Sequence, residues 1–345
     1  MKIYHVVWTL QFGGIETMTV NIANEQAAAG HDVHFVVIND EVSPRLRSML
    51  SPAVKFHAVG RRPRSRNPLP VIRLWAVLAS SRGGVIHFHG VNMPSLVPGF
   101  IGGKRFVTHH TSCRPELAPY FRPGMRLFAI SNEVAADIRR ITGLDARVVM
   151  NGILSDRFAV RDSRHAATPL RILQLGRVSF DIKGQDLTVA ALRRLRSEGV
   201  DAVVDFVGDG SDASRLENMI ASGGLRDYAR VLGSRPQEWL WQHLADYDVL
   251  VQPSRIEGFG LTVAEAMAAG VPVAVSNLPA LVEVVDNGRF GDIFRLDDDA
   301  DFAAAILSAA GRCGNPDSTS AAVAYVRRTF DVRRTAADYL SEYIR

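Results

Sequence analysis

Short apolar, β-branched runs alternate with longer, alanine-rich amphipathic stretches along nearly the whole chain. The runs Ile3–Leu10, Val33–Ile38, Val85–Phe88, Arg105–Thr108 and Arg147–Met150 have the length and composition of strands buried on both faces. Between them, Glu16–Ala29 and Ser131–Ile141 carry helical periodicity. The alternation pauses over residues 151–168, which are polar and charged, and Pro169 ends the pause. A second series follows: Leu170–Leu175, Ala202–Val207, Ala229–Leu232, Val249–Gln252 and Val271–Val275, with helical stretches such as Leu187–Ser197 between them. Two βα series joined by a linker predict an α/β protein of two doubly wound, Rossmann-like domains facing across a cleft. Residues 1–155 would form the first domain and 165–325 the second. The closing segment Pro316–Arg345 reads as one or two helices, of which 326–345 would pack back on the first domain.

In doubly wound sheets, ligands bind beyond the carboxyl ends of the strands, so the strand-to-helix turns carry the candidate chemistry. The turn after Val249–Gln252 runs Glu257-Gly-Phe-Gly-Leu-Thr-Val-Ala-Glu265. A helix start offers free amides and the positive end of the macrodipole to a phosphate. Gly258 and Gly260 let a ligand approach the backbone, and two carboxylates can accept hydrogen bonds from hydroxyl groups. Thr262 and Glu265 also have capping-box spacing, which would give Glu265 a purely helical role. After Leu170–Leu175 come Gly176-Arg177 and Lys183-Gly184, cations placed to neutralise a diphosphate, although an exposed loop lysine is ordinary. Phe12-Gly13-Gly14 opens the first helix, but neither it nor Gly208-Asp209-Gly210 completes a dinucleotide fingerprint, which argues against an NAD-dependent dehydrogenase.

Histidines cluster at two strand ends, His87 with His89 and His109 with His110. A zinc site is the obvious alternative. Period two puts His87 and His89 on one face, and no acid or cysteine accompanies them, so a histidine binding a substrate hydroxyl is the better reading. Asp246-Tyr247-Asp248 has the spacing of a metal-binding loop, but it lies before a strand rather than after one. Asp297-Asp298-Asp299 reads as a helix start.

Composition narrows the class without naming the chemistry. The 345 residues are 47% hydrophobic and 22% charged, ordinary for a globular enzyme. No apolar run approaches the ~20 residues a membrane span needs. Lys2 to Leu10 leads into Gly13-Gly14 rather than a cleavage site, so it reads as a strand and not a signal peptide. Two cysteines, Cys113 and Cys313, make no disulfide framework, and a cytoplasmic setting is the expectation. The net charge of +4 is uneven: Arg45, Arg47, Lys55, Arg61, Arg62, Arg64, Arg66 and Arg73 crowd one stretch. It is either a solvated loop and helix face or a patch for anionic lipid at the inner face of the plasma membrane. No aromatic-rich basic motif points to nucleic acid.

Taken together, Ser254-x-x-Glu257-Gly-Phe-Gly-Leu-x-x-x-Glu265-Ala-Met-Ala-x-Gly270-x-Pro272 resembles the Glu-x7-Glu signature of the family 4 glycosyltransferases, which have the GT-B fold. Gly176-Arg177, Lys183-Gly184, Asn151-Gly152, Thr108-His109-His110-Thr111 and Gly13-Gly14 are similar to that family's other landmarks in order and spacing. The resemblance implies a retaining, metal-independent hexosyltransferase with no cofactor. Its donor would be a nucleotide-diphosphate sugar, UDP-sugar favoured over GDP-sugar, and its acceptor a glycan or lipid-linked sugar in envelope or surface polysaccharide synthesis, lipopolysaccharide included. The first domain would be the acceptor side and the second the donor side. By position, Glu257 would hold the donor sugar, Glu265 the ribose, and Arg177 and Lys183 the diphosphate. Gly258, Phe259, Gly260, Leu261 and Thr262 would add the helix-start contacts, Gly13 and Gly14 would approach the phosphates, and His110 would lie near the reacting carbon. Catalysis would rest on Glu257, His110, Lys183 and Arg177. Leu154 stands where the family carries a carboxylate after Asn-Gly; Asp156 follows two residues later. A nucleotide-sugar-binding module without transfer, or a GT-B phosphorylase or epimerase, is the alternative.

Overall fold

The computed structural model describes residues 1–11, 13–162 and 165–345. The chain divides into two compact units, one of residues 1–153 with 331–345 and one of residues 154–330.

The first unit is built on β1 (Lys2–Val7), α1 (Gly14–Ala28), β2 (Asp32–Asn39), α2 (Pro44–Ser48), β3 (Lys55–Arg61), α3 (Leu69–Ala79), β4 (Val85–Phe88), β5 (Lys104–His109), β6 (Arg126–Ala129), α4 (Asn132–Thr142) and β7 (Arg147–Val148). Its strands form one parallel sheet in the order β3-β2-β1-β4-β5-β6-β7. The second unit contains β8 (Leu170–Leu175), α5 (Phe180–Lys183), α6 (Gln185–Ser197), β9 (Ala202–Val207), α7 (Ala213–Ser222), β10 (Ala229–Gly233), α8 (Gln237–His243), β11 (Val249–Gln252), α9 (Leu261–Ala268), β12 (Val273–Ser276), α10 (Pro279–Val284), β13 (Asp292–Phe294), α11 (Asp299–Gly311) and α12 (Pro316–Thr329). Its sheet is also parallel, in the order β10-β9-β8-β11-β12-β13. The last helix, α13 (Val332–Ile344), belongs to the first unit and packs on α1.

Both sheets are Rossmann-like, with the strand order reversing at a switch point between β1 and β4 in one and between β8 and β11 in the other. Parallel strands are covered on both faces by crossover helices, which is why they read as unbroken apolar runs. In the second unit, Ile172, Val204, Phe206, Val249 and Val251 of the strands pack with Leu192 and Leu195 of α6 and Phe302 and Ile306 of α11. Burying each such side chain contributes about 1.5–3 kcal/mol.

Three strands lie outside the apolar runs of the sequence. β3, an edge strand, falls in the basic stretch read above as either a solvated loop and helix face or a lipid patch. β6 has four residues and β13 three. An edge strand is solvated along one side and keeps its charges, so β3 lacks the buried-strand pattern. The first strand is shorter than the run suggested: it ends at Val7, and Leu10 makes only an isolated bridge to Val42. Among the described residues, no helix is long and apolar enough to cross a membrane.

Candidate functional site

The turns that follow β8 and β11 leave the second sheet at its switch point, because those two strands are neighbours in register, Val249 opposite Ile172 and Leu250 opposite Leu173. The first turn is short: α5 ends at Lys183, and Gly184 links it to α6. Gly184 has φ +65°, and a Cβ there would collide with the carbonyl of Pro253 in the second turn. A bare backbone is what lets the two turns touch. Lys183 Nζ then reaches Glu257 Oε2 at 2.6 Å, with the two side chains 22% and 14% exposed. The same oxygen accepts longer bonds from Gln252 Nε2 at 3.3 Å and Ser254 Oγ at 3.4 Å, and Oε1 accepts from the Gly258 amide at 3.2 Å.

Two residues beneath the turn hold it in place. Gln252, the buried last residue of β11, donates to Ser254 Oγ at 2.7 Å and accepts from Thr262 Oγ1 at 3.0 Å, tying strand, turn and helix together. Arg255 forks onto Asp186 of α6 at 2.8 and 2.9 Å and also reaches Asp297 at 3.0 Å. Such bidentate pairs are the geometrically specific ones. Neither Gln252 nor Arg255 stands out from motif spacing. The available signal is a polar residue closing an otherwise apolar strand.

The helix start differs from the capping-box expectation. The N-cap of α9 is Gly260, with φ +107°, so Thr262 is already the second helical residue and does not cap. Val263 and Ala264 turn their amides to the Gly260 carbonyl, leaving those of Leu261 and Thr262 at the positive end of the helix. Gly260 is required for its own sake: besides the positive φ, a Cβ would press on Leu281 at 2.7 Å. Glu265 does not reach back to the cap either. Its Oε1 accepts from Gln237 Nε2 of α8 at 3.0 Å. Burial of that carboxyl raises it from 4.5 to about 7, partly offset by the Gln237 bond. Phe259 is buried and meets Phe330 edge-on at 5.2 Å, so its side chain serves the core and only its backbone faces the turn. Arg177 is exposed, and among the described residues its guanidinium has no ion pair; its carbonyl accepts from Gln185 Nε2 at 2.9 Å.

The remaining candidates lie in the first unit. Gly13 is the extended N-cap of α1, and Gly14 is that helix's first residue. Glu16 already puts a carboxylate in the same first turn. Phe12 lies outside the described residues. His109 closes β5 and His110 follows it, both buried. His110 Nε2 lies 2.9 Å from His89 Nδ1, and His109 packs edge-on against Phe121 at 5.6 Å. His87 and His89 share a face, as their alternation requires, with ring centroids 4.3 Å apart.

Among the described residues, His5, His87 and His89 bring three potential ligand atoms within 4.8 Å of one another. The donor set fits a cation poorly. His5 and His89 bond each other at 2.9 Å, and His87 is bonded through both nitrogens, to Tyr343 and Thr108 at 2.6 Å each. A divalent ion would need those bonds broken and would find no carboxylate or thiolate in that group to balance its charge. Asp248 is likewise committed, 2.6 Å from Arg161 Nη2 with the two side chains 0% and 2% exposed, and it also accepts from the Arg171 amide at 2.9 Å. Asp298 caps α11 by accepting from the Asp301 amide.

Residues 169–311 match the family described as Glycosyl transferases group 1, and residues 12–157 match Glycosyltransferase Family 4. The GDP-mannose:cellobiosyl-diphosphopolyprenol alpha-mannosyltransferase of Xanthomonas oryzae pv. oryzae (strain PXO99A) is 28% identical, over 99% of this chain and 96% of its own length. The putative colanic acid biosynthesis glycosyltransferase WcaL of Escherichia coli (strain K12) is 29% identical over 58% of this chain, a match that spans about half (49%) of that relative. Among solved structures, a glycosyltransferase from Rickettsia africae ESF-5 superposes with a TM-score of 0.80 at 19% identity, covering 99% of this chain and 97% of that one. Anabaena Alr3699/HepE in complex with UDP and glucose gives 0.79 at 19% identity, covering 99% of each chain. The paired Rossmann-like sheets give this chain the GT-B fold, and both halves show glycosyltransferase homology, residues 12–157 to family 4 and residues 169–311 to group 1.

Proposed function

We propose that the protein is a retaining glycosyltransferase that moves a sugar from a nucleotide-diphosphate sugar to a glycan or lipid-linked acceptor, in the synthesis of an envelope or surface polysaccharide. The observation that carries this reading is the Lys183–Glu257 pair at the switch point of the second sheet, beside the exposed Arg177 and the open amides of α9. A cation and a carboxylate at 2.6 Å suit a ligand that is anionic at one end and a polyol at the other. Donor binding replaces their bond: the ammonium turns to the diphosphate, and Glu257 accepts sugar hydroxyls.

Transfer develops positive charge at the sugar carbon and negative charge on the leaving diphosphate. Arg177, Lys183 and the Leu261 and Thr262 amides stabilise the second of these without a metal ion. The bond from the anomeric carbon to phosphate oxygen breaks, the bond to the acceptor oxygen forms on the same face, and the acceptor proton passes to the departing phosphate. Glu265 is left to the ribose hydroxyls. Glu257 and Glu265 thus grip the donor and do not form an acid–base couple.

The UDP-bound fold relative fits a UDP-sugar, the first expectation. A GDP-sugar is the second reading, favoured by the Xanthomonas mannosyltransferase that aligns along almost its whole length. The test is to incubate the protein with UDP-, GDP- and ADP-sugars, with and without a polyprenyl-diphosphate-linked sugar acceptor. Released nucleoside diphosphate and thermal stabilisation by the free diphosphates are then measured. Stabilisation by one base and acceptor-dependent release from its sugar is the expected result. Stabilisation without release on any acceptor would favour a binding module, and the absence of both would sink the reading.

A further inference from the structure

Four buried side chains of the first unit form a single hydrogen-bonded file that ends at His110. Gln26 of α1 presents Oε1 to His5 Nε2 at 2.8 Å. His5 Nδ1 meets His89 Nε2 at 2.9 Å, and His89 Nδ1 meets His110 Nε2 at 2.9 Å. The file ends there, because His110 Nδ1 is enclosed and finds no partner among the described residues. The three rings are carried by three strands: His5 comes from β1, His89 follows β4 and His110 follows β5. β1, β4 and β5 are successive neighbours in the sheet, so the rings line up across the strand ends at the switch point.

A neutral imidazole carries one N–H and one lone pair. In a file of neutral rings, the direction of one bond therefore sets the direction of all. Gln26 Oε1 is an acceptor, so His5 donates from Nε2 and must accept at Nδ1. His89 then donates from Nε2 and accepts at Nδ1, and His110 donates from Nε2. Burial supports the neutral state of every ring: it lowers His5 from 6.5 to about 4 and His110 to about 3, and holds His89 well below its ordinary value. His87 packs beside His89 but bonds instead to Thr108 and to Tyr343, whose phenol in turn interacts with the Gln26 side chain.

We propose that Gln26, His5 and His89 are positioning residues that lock His110 as the Nε2–H tautomer, with Nδ1 held as a lone-pair acceptor for a hydroxyl of the sugar donor. The choice of hydroxyl donor as ligand rests on the transferase reading above; the tautomer lock does not. A buried acceptor without a donor is costly to leave unmade, and a hydroxyl satisfies it where a phosphate oxygen, itself an acceptor, cannot. His110 therefore selects for the polyol end of the donor and takes no part as a proton donor to the leaving group.

The experiment is 15N NMR of the full-length protein labelled at histidine, read first without ligand. The expected spectrum of the native protein shows His110 protonated at Nε2 and bare at Nδ1. His89→Phe, which cuts the file, and Gln26→Met, which removes its acceptor, should each turn the His110 signals into a mixture of tautomers. Each should also raise the donor KM about tenfold, the loss of roughly one hydrogen bond, while kcat changes less. Gln26→Glu keeps an acceptor and should restore both the tautomer and KM. A native His110 protonated at Nδ1 would overturn the proposal, even if the variants fail to fold. So would a His110 tautomer unmoved in both cutting variants. A locked tautomer whose Nδ1 signal ignores every nucleotide sugar would support the file and overturn the sugar-donor reading instead.

Discussion

Lys183 and Glu257 are both partly exposed, and a pair of that kind adds at most about 1 kcal/mol to stability. Their conjunction at the switch point is therefore better explained by a ligand than by folding. Lys183→Ala should keep its circular dichroism and unfolding midpoint while transfer falls about 100-fold, the scale expected on losing one preorganised charge contact; unchanged turnover in the folded variant would remove Lys183 from the site. Glu265 supplies a second residue-scale prediction. Its carboxyl is raised from 4.5 to about 7 by burial, so the folded state holds the proton more tightly than the unfolded one. Stability from this group is full below pH 4.5, falls as pH rises to about 7, and is flat beyond. Glu265→Gln should flatten that fall in a pH series of chemical denaturation. If ribose hydroxyls bond the carboxylate, nucleotide binding lowers its pKa and releases a proton below pH 7. Calorimetry in buffers of different ionisation enthalpy would detect the release, and its absence would count against the ribose role.

Elements position these groups through contacts that tolerate little change. The turn after β8 and the turn after β11 meet at Gly184 against the Pro253 carbonyl, and the second turn is anchored by the Arg255 fork on Asp186 of α6. Gly184→Ala adds a Cβ both at positive φ and against that carbonyl, so the turns must separate. The expected outcome is a loss of transfer comparable to Lys183→Ala, accompanied by a stability loss of about 1–3 kcal/mol in urea unfolding. A variant with native activity would show that the turns need not touch. Helix α9 illustrates how far motif spacing reaches. The glutamates, glycines and helix start are legible, but the spacing of Thr262 and Glu265 suggested a cap, whereas Gln252 and Gln237, distant in sequence, took those side chains. Local patterns cannot weigh a partner that another element supplies.

At the scale of the molecule, exposed cations and exposed apolar side chains coincide. Arg62, Arg64, Arg66 and Arg73 are exposed beside Leu69 and Ile72 of α3, and Phe100, 79% exposed, meets Trp75 of that helix edge-on. Basic residues near an anionic bilayer gain about 1 kcal/mol each, screened by salt. The protein should sediment with phosphatidylglycerol vesicles at low salt, less at high salt, and less still as the Arg64→Glu/Arg66→Glu variant. Equal binding to zwitterionic vesicles at all salt concentrations would reject a lipid role for this face. The metal-independent reading is tested at the same scale, since activity should survive a chelator. Loss restored by a divalent ion would overturn it.

The sequence by itself determined the α/β class, the two series of parallel strands, and the turns from which Lys183, Arg177, Glu257 and the α9 start project. These follow from burial periodicity and from short-range backbone needs, both local along the chain. Only the tertiary structure decided which turns touch, that Gly260 rather than Thr262 starts α9, and that β3 is an edge strand inside the basic stretch. It alone revealed that Gln26, His5 and His89 run in file to His110. Those outcomes depend on partners supplied by other elements, whose placement is set by the packing of whole sheets and is written in no single stretch of sequence.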